Sequence, residues 1–282
     1  MPTESELTQQ QKAMWGQAAG SWEKWDAWFE HNTKDLSEWI CQAAGVAPGK
    51  RMLDVACGSG HPAVLLATRV APGGRVTATD LSSEMVEVAR RKARRVGVHN
   101  IEIREMDVQA LEFADRSFDG ATCRFGLMFC PDPVKAAKEV HRVLEPGGSF
   151  ALAVWDEPAK NPFFTTLTAV LKGFVALPPP DPAAPGPFRL APPGELERVV
   201  RAAGFSRIAI ESRPLTFTYK SREEYWDSQR ELVAPLRSAI ASLNSGEVAR
   251  LRQAVLDAIA PNTGKDGAVK LTATPLCAVA TA

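Results

Sequence analysis

The chain has 282 residues, with 33 basic and 33 acidic side chains that cancel, and 45% of it is hydrophobic. That is enough apolar material for one large core with a cap, so a globally disordered chain is excluded. The balanced charge gives no general attraction for nucleic acid or an anionic membrane, and no run approaches the roughly 18 apolar residues that span a bilayer.

The N-terminal stretch MPTESELTQQQK is polar and lacks the basic start and apolar block of a secretory signal. The five cysteines (Cys41, Cys57, Cys123, Cys130 and Cys277) are odd in number and contain no C-x-x-C pair. They read as reduced, packed thiols of a cytoplasmic protein, with no structural zinc site or other metal site. Residues 1–48 carry five of the seven tryptophans: Trp15, Trp22, Trp25, Trp28 and Trp39. This segment is expected to be a helical cap. The tryptophan spacing fits either packing onto the body or an acceptor pocket, in which Trp22 and Trp25 are the candidates.

Residues 49–155 alternate strands and helices. Arg51–Cys57 is a short apolar run ending in glycines, so a buried strand. A helix follows from Pro62 to Val70, then a turn at Ala71–Gly74 and a second strand at Arg75–Asp80. Ser82 caps the next helix, whose apolar stripe is Met85, Val86, Ala89, Ala93 and Val96. Strands are predicted at Ile101–Asp107, Phe118–Phe125 and, after a Glu145–Gly148 turn, Ser149–Trp155. Between the last two, Asp132–Pro133 opens a helix with Ala136, Ala137, Val140, Val143 and Leu144 inward. Strands separated by helices build a parallel sheet covered on both faces, an α/β fold.

Pro178–Pro193 holds eight prolines in 16 residues and reads as a stiff surface loop within a 156–193 lid. A helix over Gly194–Ala203 and a strand over Phe205–Glu211 return residues 194–211 to the core. Residues 212–266, with a capping box at Ser221 and a helix from Ser245 to Ile259, are expected to form a second helical cap. Residues 267–282 supply a last strand, Ala268–Ala280, in which Pro275 points to a bulge or an edge.

Chemistry concentrates at Asp54-Val-Ala-Cys-Gly58-Ser-Gly60-His-Pro62, between a strand and a helix. Its glycines let backbone approach a ligand closely. Asp80, 20 residues after Gly60, can accept from both hydroxyls of a ribose. The same features suit a dinucleotide, so an NAD(P)-dependent oxidoreductase is the alternative reading. Asp54 at the mouth of the first strand would repel a pyrophosphate and welcome a cation. The Tyr-x-x-x-Lys pair of many oxidoreductases is also missing. Asp107 ends the third strand, where an acceptor can take an adenine amino hydrogen. Adenine, ribose and positive charge without phosphate describe S-adenosylmethionine.

Over Gly49–Trp155 the chain resembles class I SAM-dependent methyltransferases, of the group similar to ubiquinone/menaquinone-biosynthesis methylases. The resemblance rests on VACGSG (55–60), ATDLS (78–82), MDVQAL (106–111), SFDGATCRFGLMF (117–129) and RVLEPGGSF (142–150). It implies a Rossmann-like sheet of order 3-2-1-4-5-7-6, strand seven antiparallel, with a helical cap. Asp54, Ala56, Gly58, Ser59 and Gly60 would surround the methionine part of the cofactor. Asp80 would hold the ribose, with Leu81 and Met85 beside the adenosine, and Asp107 with Val108 would take the adenine. Arg124 would face the methionine end or the acceptor. The group usually has glycine at the position of Ala56, so this loop is expected to sit slightly differently.

The partner implied is a small, partly apolar methyl acceptor, quinone-like or another secondary metabolite, with Phe125 and Trp155 joining Trp22 and Trp25 around it. No nucleic acid and no membrane insertion are expected, and the oligomeric state is open between monomer and homodimer. His31 and His141 are the candidate general bases, with Arg124 a third catalytic candidate. His61 reads as touching the cofactor by adjacency. A cyclase or scaffold that binds SAM without methyl transfer would keep the same cofactor residues. The basic run Arg90, Arg91, Lys92, Arg94 and Arg95 reads as the solvated end of a helix.

Overall fold

A computed structural model describes residues 2–177 and 181–282. Thr3 caps a long N-terminal helix, α1 (Glu4–Asn32), through a capping box with Glu6. Thr33 separates it from α2 (Lys34–Ala43). The core then runs β1 (Arg51–Val55), α3 (Ala63–Arg69), β2 (Arg75–Asp80), α4 (Ser83–Val96), β3 (Ile101–Glu105) and β4 (Phe118–Arg124). It continues through α5 (Pro133–Val143), β5 (Leu144–Trp155), α6 (Pro162–Leu171), α7 (Glu195–Ala202) and β6 (Ser206–Ser212). The chain ends with β7 (Leu215–Tyr219), α8 (Arg222–Leu232), α9 (Ala234–Ala241), α10 (Ser245–Ala258), β8 (Val269–Ala273) and β9 (Pro275–Thr281).

Seven strands form one sheet in the order β3-β2-β1-β4-β5-β9-β6. The first five are parallel, and β9 runs antiparallel between β5 and β6. This is the expected order, with β9 as its seventh strand. Strand order reverses between β1 and β4, and in such sheets ligands bind in the crevice beyond the strand ends at that switch. The helix caps follow the expected chemistry. Ser82 Oγ accepts from the Met85 N–H, and the Asp132 side chain accepts from the Val134 and Lys135 N–H groups. In α4, Met85, Val86, Ala89 and Ala93 are buried, but Val96 is 51% exposed and falls outside the stripe.

The C-terminal reading needs correction. Ala268–Ala280 is not one strand. β8 pairs with β7 in a separate two-stranded sheet, and the chain crosses at Thr274 into the main sheet. Pro275 therefore opens β9 opposite Trp155, between two neighbours. It is neither at an edge nor in a bulge; a proline is tolerated there as a strand's first residue. The expected Glu145–Gly148 turn lies within β5, whose pairing with β4 shifts register between Phe118 and Gly120. Residues 156–193 contain α6, with Phe163, Leu167 and Leu171 buried, and 212–266 contain β7 besides helices. The proline-dense reading begins at Pro178, and residues 178–180 lie outside the described residues.

Candidate active site

β1 stops at Val55, two residues short of the expected strand, because Ala56 adopts a left-handed φ of 54°. An alanine tolerates this region poorly, and glycine would sit there without steric strain. Gly58 (φ 54°) and Gly60 (φ 97°) also need it. A Cβ on Gly60 would meet the Ala89 backbone at 3.1 Å, so that glycine brings the loop against α4. Across the crevice, Gly126 follows β4. A Cβ there would lie 2.3 Å from the Ala56 Cβ and 3.0 Å from the Cys123 Sγ. Gly126→Ala should therefore cost about 1–3 kcal/mol in urea denaturation. Adding Ala56→Gly, which deletes the colliding methyl, should recover most of that loss.

Asp54 and Asp80 stand at the tips of β1 and β2, and Asp107 lies past the end of β3, which stops at Glu105 and not at Asp107 as expected. Asp54 is fully buried. Its Oδ1 accepts from Thr122 Oγ1 at 2.6 Å, while its Oδ2 is buried without a partner. The hydroxyl of Thr79, near the tip of β2, is likewise buried and unpartnered. Asp80 accepts from the Gly58 N–H at 2.8 Å and the Ser82 N–H at 3.0 Å. It thus ties the glycine loop to the start of α4. Burial raises its pKa, and the N–H groups of Ser82, Gly58 and Leu81 oppose the shift. Asp107 lies two residues beyond β3, with its Oδ1 accepting from the Gln109 N–H at 2.9 Å. Leu81 and Val108 are partly buried beside these tips.

Burial pushes the Asp54 carboxyl up to about 7, against the Thr122 hydrogen bond and the charge of Arg124. In the unfolded chain the group titrates near ~3.9. Below that value it is protonated in both states. As pH rises, the unfolded chain ionises first, so the contribution of this group to stability falls and is lost by about pH 7. Asp54→Asn keeps the acceptor for Thr122 and carries no charge. Urea melts of ligand-free protein from about pH 5 to about pH 8 should show that decline in wild type and its loss in the variant.

α1 lies over this loop. Ser59 Oγ donates to Asp26 Oδ1 at 2.7 Å. Lys92 Nζ, on α4, donates to Asp26 Oδ1 at 3.0 Å and to Glu30 Oε2 at 2.9 Å. His61 Nε2 lies 2.9 Å from Glu30 Oε1, and its Nδ1 lies 3.4 Å from Ser37 Oγ. The His61 bond holds Glu30 at about 2, well below the usual carboxylate range, while burial lowers the pKa of His61. Arg91 pairs with Glu23. The basic run is exposed at Arg90, Arg91, Arg94 and Arg95, as a solvated helix end should be, but Lys92 is buried, and Lys92 and Arg91 dock α1. Sequence carried a signal for this. Glu23, Asp26 and Glu30 share one helical face at spacings of three and four, opposite cations one turn apart at Arg91 and Arg95.

The expected bases are placed elsewhere. His31 is exposed on α1. His141 packs edge-on against Phe205, 4.9 Å between centroids, and lies against Gly204 between α7 and β6, away from the aspartates. Arg124 points to the α1–α2 junction. Its Nη1 donates to Thr33 Oγ1 at 2.8 Å and Ser37 Oγ at 3.0 Å, and its guanidinium lies over Phe29. Burial lowers its pKa to about 10.

Three of the four aromatic candidates, Trp22, Phe125 and Trp155, fall into one cluster. Phe125, at φ 62°, stacks on Trp155 with centroids 3.9 Å apart. Phe29 lies 6.2 Å from Phe125 and 5.1 Å from Trp22, whose Nε1 is buried and unpartnered. Trp22 and Trp15 also pack with Ala19 of α1 onto Met85 and Val88 of α4. Trp25 is turned to the cap, where its Nε1–H donates to Glu231 Oε2 at 2.7 Å, and Trp28 donates to the Thr218 carbonyl at 2.8 Å. Among the described residues no group of three or more His, Cys, Asp or Glu could hold a metal ion. No described helix is long and apolar enough to cross a membrane.

This arrangement suits a cation at Asp54, and a family model described as a methyltransferase domain matches residues 53–152. The matched segment, residues 53–152, is similar to a methyltransferase domain. The unpartnered, fully buried Asp54 Oδ2 fits the amino group of S-adenosylmethionine, the cofactor that such a domain implies. The demethylmenaquinone methyltransferase of Listeria welshimeri is 37% identical over 113 residues, 40% of this chain and 48% of that one. The demethylmenaquinone methyltransferase of Staphylococcus aureus is 36% identical over 155 residues, 55% of this chain and 60% of that one. The chain thus spans about half the length of the first of these relatives and 60% of the second. The YcgJ protein of Bacillus subtilis shares the fold, with a TM-score of 0.56 and 21% identity over 87% of this chain and 97% of that one.

Proposed function

We propose that the whole chain is a SAM-dependent methyltransferase acting on a small, partly apolar acceptor, quinone-like or a related secondary metabolite. The observation that carries it is the fully buried Asp54 carboxylate, unpartnered at Oδ2, beside the Gly58–Gly60 loop, which suits a cationic ligand and not a phosphate. SAM supplies a methyl group already activated by its sulfonium. The chain's own work is then binding, orientation and exclusion of water. In this reading Asp54 balances the amino group, Asp80 holds the ribose, and Asp107 with the Val108 backbone holds the adenine. Phe125, Trp155, Phe29 and Trp22 form an apolar wall for the acceptor. The acceptor supplies its own nucleophile, because both ring nitrogens of His61 face α1 or α2 and His31 and His141 lie apart.

Methyl-labelled SAM incubated with 1,4-naphthohydroquinone, a simple phenol and a secondary amine tests the reading. Label moving to an acceptor, with S-adenosylhomocysteine (SAH) formed in equal amount, supports it. Acceptor that rearranges while label stays in SAM would establish the cyclase reading instead. Stabilisation by NADH and not by SAM would establish the oxidoreductase reading.

A further inference from the structure

Three of the polar side chains that would touch cofactor are covered. Asp54 is fully buried, and Asp80 and Ser59 are about nine-tenths buried. α1 is an element that covers the loop, through Asp26 on Ser59 and Glu30 on His61, so its movement would open a path to them. The contact between α1 and the loop is charged as well as apolar. Asp26 is 8% exposed and Lys92 5%. Asp26 holds Ser59 inside the loop, and Glu30 holds His61 immediately after it. One carboxylate, Asp26, takes both the Ser59 hydroxyl and the Lys92 ammonium, so the same contact holds α1, α4 and the loop together. Thr33, with φ −114° and ψ 13°, breaks the helix between α1 and α2 and offers the pivot.

We propose that Asp26 and Lys92 are positioning residues for the glycine loop: their buried pair, with Glu30 on His61, latches α1 over the loop, and cofactor enters and leaves by breaking that latch. The proposal rests on the cofactor reading above for what passes the gate, but the gate itself has a ligand-free readout. The Gly58 N–H is bonded to Asp80 and the Gly60 N–H to the Cys57 carbonyl, so their hydrogen exchange reports uncovering of the loop.

Two opposite variants test it. Asp26→Asn with Lys92→Met removes both charges together and leaves no buried ion behind. Ala19→Cys with Val88→Cys joins α1 to α4 where those side chains already pack in one cluster, and reduction releases it. The uncharged pair should exchange the loop amides about 10-fold faster or more, and the bridged protein about 10-fold slower or more. SAH uptake and release, followed by stopped-flow fluorescence of the α1 tryptophans, should change in the same directions, and reductant should restore the bridged protein. Bridged protein that exchanges its loop amides and takes up SAH as fast as its reduced form overturns the latch. If no form takes up SAH, the cofactor reading falls, while the exchange rates still decide whether α1 opens.

Discussion

Asp80→Ala should reduce SAH affinity by about 1.5–3 kcal/mol or more, because a ribose held by a carboxylate loses two charge-assisted bonds. Titration calorimetry measures this. The fold is affected too, since Asp80 accepts from the N–H groups of Gly58 and Ser82. Leaving two buried donors unsatisfied costs about 1–3 kcal/mol each, against which the variant relieves the desolvation of a buried carboxylate. A net loss of about 1–3 kcal/mol in urea denaturation is expected. Asp80→Asn separates the two effects. Its amide oxygen can serve one of the N–H groups, but its amino side faces the other and offers the ribose a donor in place of an acceptor. It should therefore recover part of the stability and little of the affinity. An SAH affinity within about twofold of wild type in both variants would remove Asp80 from the cofactor site.

The legible part of this fold was the part set by local rules. Ser82 and Asp132 cap helices because short polar side chains before an apolar stripe have that use. The aspartates near three successive strand ends were readable because short apolar runs give each strand, although β1 and β3 stop two residues before their expected ends. Ala56 was readable as an oddity, and it does occupy a left-handed conformation better suited to glycine. The illegible part depended on long-range pairing. The run Ala268–Ala280 alternates well enough for one strand, and only the sheet partners show that it serves two sheets. Pro275 marked the switch, but a lone proline does not distinguish a strand's first residue from an edge.

The candidate site divides in the same way. The loop side was read from glycines and acids close in sequence. The roof was read by residue type, and type alone does not give the partners. Histidine suggested a base, yet His31 is exposed and His141 packs against Phe205, while His61 faces Glu30 and Ser37. Trp25 suggested an acceptor wall, yet its indole N–H is spent on Glu231. Arg124 suggested a ligand contact, yet its Nη1 is spent on Thr33 and Ser37. In each case the partner lies far away in sequence, and no spacing rule reaches that distance.

Lys92→Met should be the most destabilising single change at the α1 contact, at about 3–5 kcal/mol in urea denaturation. It strands Asp26 in a site 8% exposed to water, with Ser59 Oγ at 2.7 Å and the Arg95 guanidinium only at 3.9 Å. Glu30 is more open and can rehydrate, so Asp26 carries most of the penalty. Adding Asp26→Asn removes the stranded charge and keeps an acceptor for Ser59, so the double variant should return to within about 2 kcal/mol of wild type. A double-mutant cycle then gives a coupling of several kcal/mol between two residues whose joint removal costs little. Additive losses would instead mean that Lys92 matters for its packed stem alone. A near-neutral double variant separates the two uses of the pair. Its contribution to folding would be small, because a well-packed neutral pair does as well. Its contribution to the site would lie in where it places α1, since only the charged pair joins α4, the helix and the glycine loop through one carboxylate.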